Sequence, residues 1–306
     1  AVGIDLNPIA TLISRVKVQR WGAEDDRQLD SHAVDLRWAA QRGNQEVLEE
    51  ARARIPRIDH WFSAEAQALL AGATGYARTI DDPIWRDRVS LAISSSVVRV
   101  SRQDSDTRYA AVDKRWNSDR AARIFETSLA KVAVQLRSFA PSHCGKEVSV
   151  ITADAARSAE LVAPSSVAAA IFSPPYPNAY EYWLYHKYRM YWLGFDPLSV
   201  RASEWGARPH YSGTGKSTIN TFSEQMAPVM DAVARALVPS GICLVVVGDS
   251  LIKGELLDNA SLFERLARAA GLRAIGRSSR PIRASRKSFN LAVARARDEH
   301  VLLFRR

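Results

Sequence analysis

The sequence predicts an α/β protein: short buried strands alternating with amphipathic helices, interrupted by one long helical insertion. Three observations carry this expectation. Val167-Ala168-Ala169-Ala170-Ile171-Phe172 is a continuous uncharged run of strand length, stopped by two prolines that fix φ and remove two backbone donors. The chain opens on a second apolar run that ends at Asp5 and leads into a helix with Pro8 in its first turn. From Ala121 onward, Phe125, Leu129, Val132, Leu136 and Phe139 recur at helical steps of three and four.

The elements follow in order. Residues 1–17 read as a strand and a helix. Residues 18–117 lack strand alternation and read as helical, with Ala66, Leu69 and Leu70, then Leu91, Ile93, Val97 and Val98, as buried faces. Trp21, Trp38, Trp61, Trp85 and Trp116 fall in this stretch and suit a core better than base stacking. Ser118 is the expected cap of the next helix, which Pro141 closes. Val148–Ile151 reads as a strand ending near Asp154, and Val167–Phe172 as the next. Asn178–Trp192 is a dense aromatic helix, with Trp183, Lys187 and Met190 on one side and Tyr185, Tyr188 and Trp192 on another. Residues 199–222 read as a long polar loop and 222–237 as a helix. Ile242–Val247 reads as a buried strand ending at Gly248-Asp249-Ser250. A helix over Leu262–Ala270 is closed by Gly271. Leu272–Ile275 and His300–Phe304 then pair as antiparallel strands around a loop, Arg280–Asn290.

Composition narrows the function classes. At 306 residues the chain holds one large domain or two small ones. No uncharged run is long enough to span a bilayer, and the balance fits a cytoplasmic protein. Cys144 and Cys243 lack CxxC spacing and the six histidines are scattered, so neither a disulfide framework nor a metal site is expected. His186 reads as a structural histidine. The net charge of +9 is concentrated at the end: between Arg273 and Arg306 lie ten arginines and lysines against Asp298 and Glu299. Such a basic face suits nucleic-acid phosphate. Gly213-Thr214-Gly215-Lys216-Ser217-Thr218 is not a Walker loop, because His210 stands where its first glycine is required and no apolar strand leads in.

Ser173-Pro174-Pro175-Tyr176 places a hydroxyl, free carbonyls and an aromatic ring at a rigid strand tip, a cradle for a planar group bearing NH₂. Gly3-Ile4-Asp5-Leu6-Asn7-Pro8 places a carboxylate at another tip, where it can accept from a ribose diol. Together these resemble the amino-methyltransferases of DNA, which methylate cytosine-N4 or adenine-N6 with S-adenosylmethionine. The serine form is closer to the cytosine-N4 branch. The resemblance covers 1–17 and 118–306, and implies a Rossmann-like methyltransferase sheet with helices on both faces. Residues 18–117 would be a helical insertion that recognises DNA or covers the sheet.

By this resemblance Ser173, Pro174, Pro175 and Tyr176 are catalytic, and Asp5, Asn7 and Asp154 hold the cofactor. Helix capping by Asp154 stays nearly as good a reading. Tyr180, Glu181 and Asp249 are candidates for a base pocket, and Arg280, Arg283, Arg286 and Lys287 for DNA contact. The target base would be flipped out of duplex DNA. The family's first strand and glycine-rich loop would precede Ala1, so a fragment or half of a split enzyme is expected, with the missing segment or a restriction endonuclease as partner. Action on adenine-N6 or RNA, on a protein glutamine amide, and a non-catalytic nucleic-acid-binding remnant stay open as alternatives.

Overall fold

The computed structural model describes residues 1–105, 110–114, 117–139, 145–177, 181–211, 217–252, 255–281 and 298–306. In chain order the elements are β1 (Val2–Asp5), α1 (Pro8–Lys17), α2 (Ala23–Arg42), α3 (Gln45–Arg54), α4 (Ile58–Trp61), α5 (Ala64–Thr79), α6 (Pro83–Val100), α7 (Ser118–Phe139) and β2 (Ser149–Thr152). There follow α8 (Ser158–Leu161), β3 (Val167–Phe172), α9 (Tyr182–Trp192), α10 (Pro197–Ser203), α11 (Arg208–Tyr211), α12 (Ile219–Ala236) and β4 (Leu237–Gly248). The chain finishes with β5 (Ser250–Ile252), β6 (Glu255–Leu257), α13 (Asn259–Ala269), β7 (Arg273–Pro281) and β8 (Asp298–Arg305). Among the described residues no helix is long and apolar enough to cross a membrane.

The chain divides into two compact units, Ala1–Thr152 with Trp183–Ala202, and Ala153–Tyr182 with Ser203–Arg306. In the first, β1 and β2 pair in parallel with Asp5 opposite Thr152. Local chemistry sets the helix starts. Asn7, Asn44, Ser63 and Asp82 each accept a backbone N–H of the first turn, and Pro8 and Pro83 occupy positions where no N–H is needed. Asn117 accepts from Arg120 N at 2.8 Å, so the cap of α7 falls one residue before the expected Ser118.

Between residues 23 and 100 the chain forms α2 to α6, and α2, α5, α6 and α7 share one apolar core. Gly72 lets α5 cross α2 closely: a Cβ there would lie 2.0 Å from the Ala39 carbonyl oxygen. Trp61 and Trp85 are buried, whereas Trp38 is 61% exposed; Trp116 lies outside the described residues. Arg88 is buried between Trp21 and Trp85 and bonds Gln19, Asp25 and the Arg20 carbonyl, which satisfies a charge that would otherwise be costly to bury. Both sides of α9 are packed: Trp183 and Met190 lie with Ile9 and Val200, and Tyr188, Tyr191 and Trp192 join the helical core.

The second unit holds a four-stranded sheet in the order β3-β4-β8-β7, with β3–β4 parallel and the other pairs antiparallel. Parallel neighbours require a crossover, which here contains α12, so the α/β class holds. Alternation along β4 and β8 buries Cys243, Val245, Val247, Leu302 and Phe304, with Phe222, Met226 and Met230 of α12 and Leu262 and Phe263 of α13 in the same core. Two expectations change. Residues 199–222 are not simply a loop, since they include α10, α11 and the start of α12. Arg280 is not in a loop but on β7, opposite Glu299.

Candidate active site

β3 ends at Phe172, and Ser173–Tyr176 continue without regular structure. Ser173 is exposed, and its Oγ donates to the Val246 carbonyl at 2.9 Å, tying the motif to the neighbouring strand. That bond fixes the hydroxyl proton, so toward any further partner the oxygen acts as an acceptor. Pro174 is buried. Pro175 lies against Gly206, whose φ is +74°, and a Cβ added to Gly206 would sit 3.0 Å from the Pro175 Cβ. Glycine is required there twice over, by conformation and by space.

Tyr176 is held at two points. Its hydroxyl donates to Glu299 Oε1 at 3.3 Å. Its Cε2 lies 3.2 Å from where a Gly248 Cβ would be. Glu299 Oε2 accepts from Arg280 Nε at 2.6 Å. Beside this chain, His300 is buried, takes part in a 2.7 Å hydrogen bond between its Nδ1 and Ser279 Oγ, and lies 3.3 Å from Asp249 through Nε2. Buried Asn259 donates to the Gly248 carbonyl at 2.7 Å and to Ser250 Oγ at 2.9 Å, fixing the turn that carries Asp249.

The other sequence candidates are placed as follows. Glu181 is half-buried at the start of α9, and the N–H of its neighbour Tyr182 donates to buried Glu204 at 2.7 Å. Arg280 is exposed on β7. Tyr180, Arg283, Arg286 and Lys287 lie outside the described residues, as do Gly213–Lys216. Asp154 is half-buried, and its Oδ1 caps the turn at Ala155–Arg157 by accepting from Ala156 N at 2.9 Å.

In the first unit, Asp5 stands at the carboxyl end of β1. Its Oδ1 accepts from Asn7 N at 2.7 Å. Loss of hydration raises its carboxyl above the usual 3.8, with the Asn7 N–H pulling the other way. Asn7 is buried, and its Oδ1 is engaged with Ile9 N at 2.9 Å; its visible work is to start α1. Thr11 and Thr152 hydroxyls meet at 2.7 Å and join the helix to the tip of β2.

Sequence reasoning missed Glu299, His300, Asn259, Gly206 and Gly248 as parts of the motif's surroundings. One signal was available: Asp298 and Glu299 are the two acids in an otherwise basic segment.

No protein-family model matches the chain, and no curated protein does. Among solved structures, a Thermus thermophilus protein described by name as a putative DNA modification methylase, complexed with S-adenosyl-L-methionine, is similar at 18% identity and a TM-score of 0.32. The likeness covers 50% of this chain and 51% of that one. The [4+2]-cyclase SpnF matches at 13% identity over 58% of this chain and 62% of its own, with a TM-score of 0.30. A Leishmania major S-adenosylmethionine-dependent methyltransferase matches at 10% identity over 85% and 81%, with a TM-score of 0.28. The chain spans about half the length of the Thermus protein. Likenesses this distant do not establish an activity.

Proposed function

We propose that this chain is an S-adenosylmethionine-dependent amino-methyltransferase acting on the exocyclic amine of a base in DNA, cytosine-N4 first. The observation that supports it most is the Ser173 hydroxyl at the strand tip. Its proton is committed to Val246, so its oxygen accepts from an incoming NH₂. The Pro174 carbonyl is the second acceptor. Two acceptors on one NH₂ draw its nitrogen out of conjugation with the ring and orient its lone pair. Tyr176 supplies the aromatic face on which a flipped base stacks, and its hydroxyl is anchored away from that base on Glu299.

The residues also suit the cofactor. Asp5 is a carboxylate at a strand end with one oxygen engaged by Asn7 N–H, which matches acceptance from a ribose diol. Asp154 is the candidate for the adenine amino group, with Oδ1 already used as a cap. When bound, the cofactor supplies an electrophilic methyl on a sulfonium. The exposed arginines of β7, Arg273, Arg277 and Arg280, supply phosphate contacts that position the duplex without reading it.

The test is tritium transfer from labelled S-adenosylmethionine to unmethylated plasmid DNA, followed by nucleoside mass spectrometry. N4-methylcytosine is the expected product; N6-methyladenine, or transfer to RNA alone, would reassign the substrate. Ser173→Ala is expected to lower turnover about 100-fold, as removal of one transition-state hydrogen bond does elsewhere, with DNA affinity retained. Full turnover in Ser173→Ala, or no transfer by the unaltered protein, overturns the proposal.

A further inference from the structure

One rung of the sheet carries three side-chain positions that meet at the motif. Gly248 on β4 pairs with Glu299 on β8, and Glu299 pairs with Arg280 on β7. Gly248 gives room to the Tyr176 ring, Glu299 accepts its hydroxyl, and Arg280 holds the other oxygen of Glu299. The Glu299 side chain is 17% exposed and that of Arg280 73% exposed. A ring seated on a glycine and tethered at its far end has lost the freedom of both its torsions. Its plane is therefore set before any base arrives, which is the condition for capture at low entropic cost.

We infer that Glu299 is a positioning residue for Tyr176, with Arg280 fixing the carboxylate that does the holding; this rests on the proposed stacking role of Tyr176. Glu299 touches no substrate in this arrangement and acts through the ring. Arg280 uses part of its five-donor fork on Glu299 and keeps donors for solvent or a phosphate, so the same rung joins the basic strand to the base-holding ring.

The experiment is a double-mutant cycle in the full chain, with Tyr176→Phe, Glu299→Ala and the pair, read both in urea unfolding and in tritium transfer to plasmid DNA. Each single variant is expected to lower kcat about tenfold, the scale of one hydrogen bond to a charged group. KM for S-adenosylmethionine should stay unchanged. The double variant should be no slower than the slower single, because both remove one contact. Glu299→Gln keeps an acceptor and should recover turnover to within about threefold of the unaltered protein. Independent effects that multiply to about 100-fold, or wild-type turnover in Glu299→Ala, overturn the inference while transfer by the unaltered protein leaves the methyltransferase reading standing. Absence of transfer by the unaltered protein overturns both. Should Glu299→Ala fail to fold, Tyr176→Phe decides alone: it removes the hydroxyl without altering charge, and full turnover in it overturns the inference.

Discussion

Replacing Gly206 by alanine tests how tightly the motif is braced from behind. Two penalties add at this position. The backbone has φ +74°, and placing an L-residue there costs about 1–2 kcal/mol. The new methyl would also sit 3.0 Å from the Pro175 Cβ, an overpacked contact worth about 1–3 kcal/mol when the neighbour cannot yield. Pro175 yields poorly, because its ring locks φ and its neighbour Pro174 is buried. The sum is about 2–5 kcal/mol. Gly271 provides the control within the same unit: its φ is +82° with nothing within 4 Å of an added Cβ, so Gly271→Ala incurs the backbone penalty alone. Urea unfolding of both variants isolates the steric part as the difference, expected at about 2 kcal/mol. Gly206→Ala should also reduce the proposed methyl transfer, since relief of the contact moves Pro175 and with it Ser173. Equal stability losses in the two variants would refute the bracing argument.

Three further outcomes are expected. The raised Asp5 carboxyl means that the folded chain binds its proton more readily than the unfolded chain, so this group's support for folding is greatest at low pH and fades as pH rises from 3.8 through the raised value. Because Asp5 is exposed at its strand tip, the effect is small: Asp5→Asn should slightly flatten the acid side of the stability profile without loss at neutral pH, while weakening the proposed S-adenosylmethionine binding in a titration calorimeter. The Cys243 thiol is fully buried and pushed up to about 12 by loss of hydration; in a Cys144→Ser background it should resist iodoacetamide until urea unfolds the chain. Phe263 is fully buried with its ring 6.4 Å from both Phe172 and Phe222. Phe263→Ala should cost about 3–5 kcal/mol in urea unfolding and slow the proposed transfer through the loosened end of β3.

Strands with a continuous apolar signal were legible from the sequence. β1, β2, β3 and the central part of β4 fall where local composition puts them, but of these only β4 is buried as expected, with no buried residue among the described positions of β1, β2 or β3; β7 and β8 pair as expected. The differences have local causes. Beyond Ile275, β7 runs Gly-Arg-Ser-Ser-Arg-Pro and is exposed throughout, so its length is set by backbone pairing with β8 rather than by any apolar pattern, and the sequence alone puts Arg280 in a loop. The helix read over 222–237 and the strand read over Ile242–Val247 leave Pro239-Ser240-Gly241 between them, yet β4 begins before it at Leu237. The strand pair β5–β6 consists of three-residue strands, too short to show a period. Ser173 and Tyr176 stood out because two prolines are rare punctuation at a strand end. Glu299 did not, because it meets Tyr176 across 123 positions of chain, and only the register of three strands brings them together.

The strand that delivers the motif also carries a border without a partner among the described residues. Among the described residues β3 pairs on one side only, with β4, carries no charge, and presents Ile171 at 73% exposure. An apolar strand with an unpaired edge is a template for another copy of itself. On the proposed reading, the strand that aims the Ser173 hydroxyl thus also carries an open apolar border, and Ile171→Lys is expected to lower self-association of this 306-residue chain, read by light scattering against concentration.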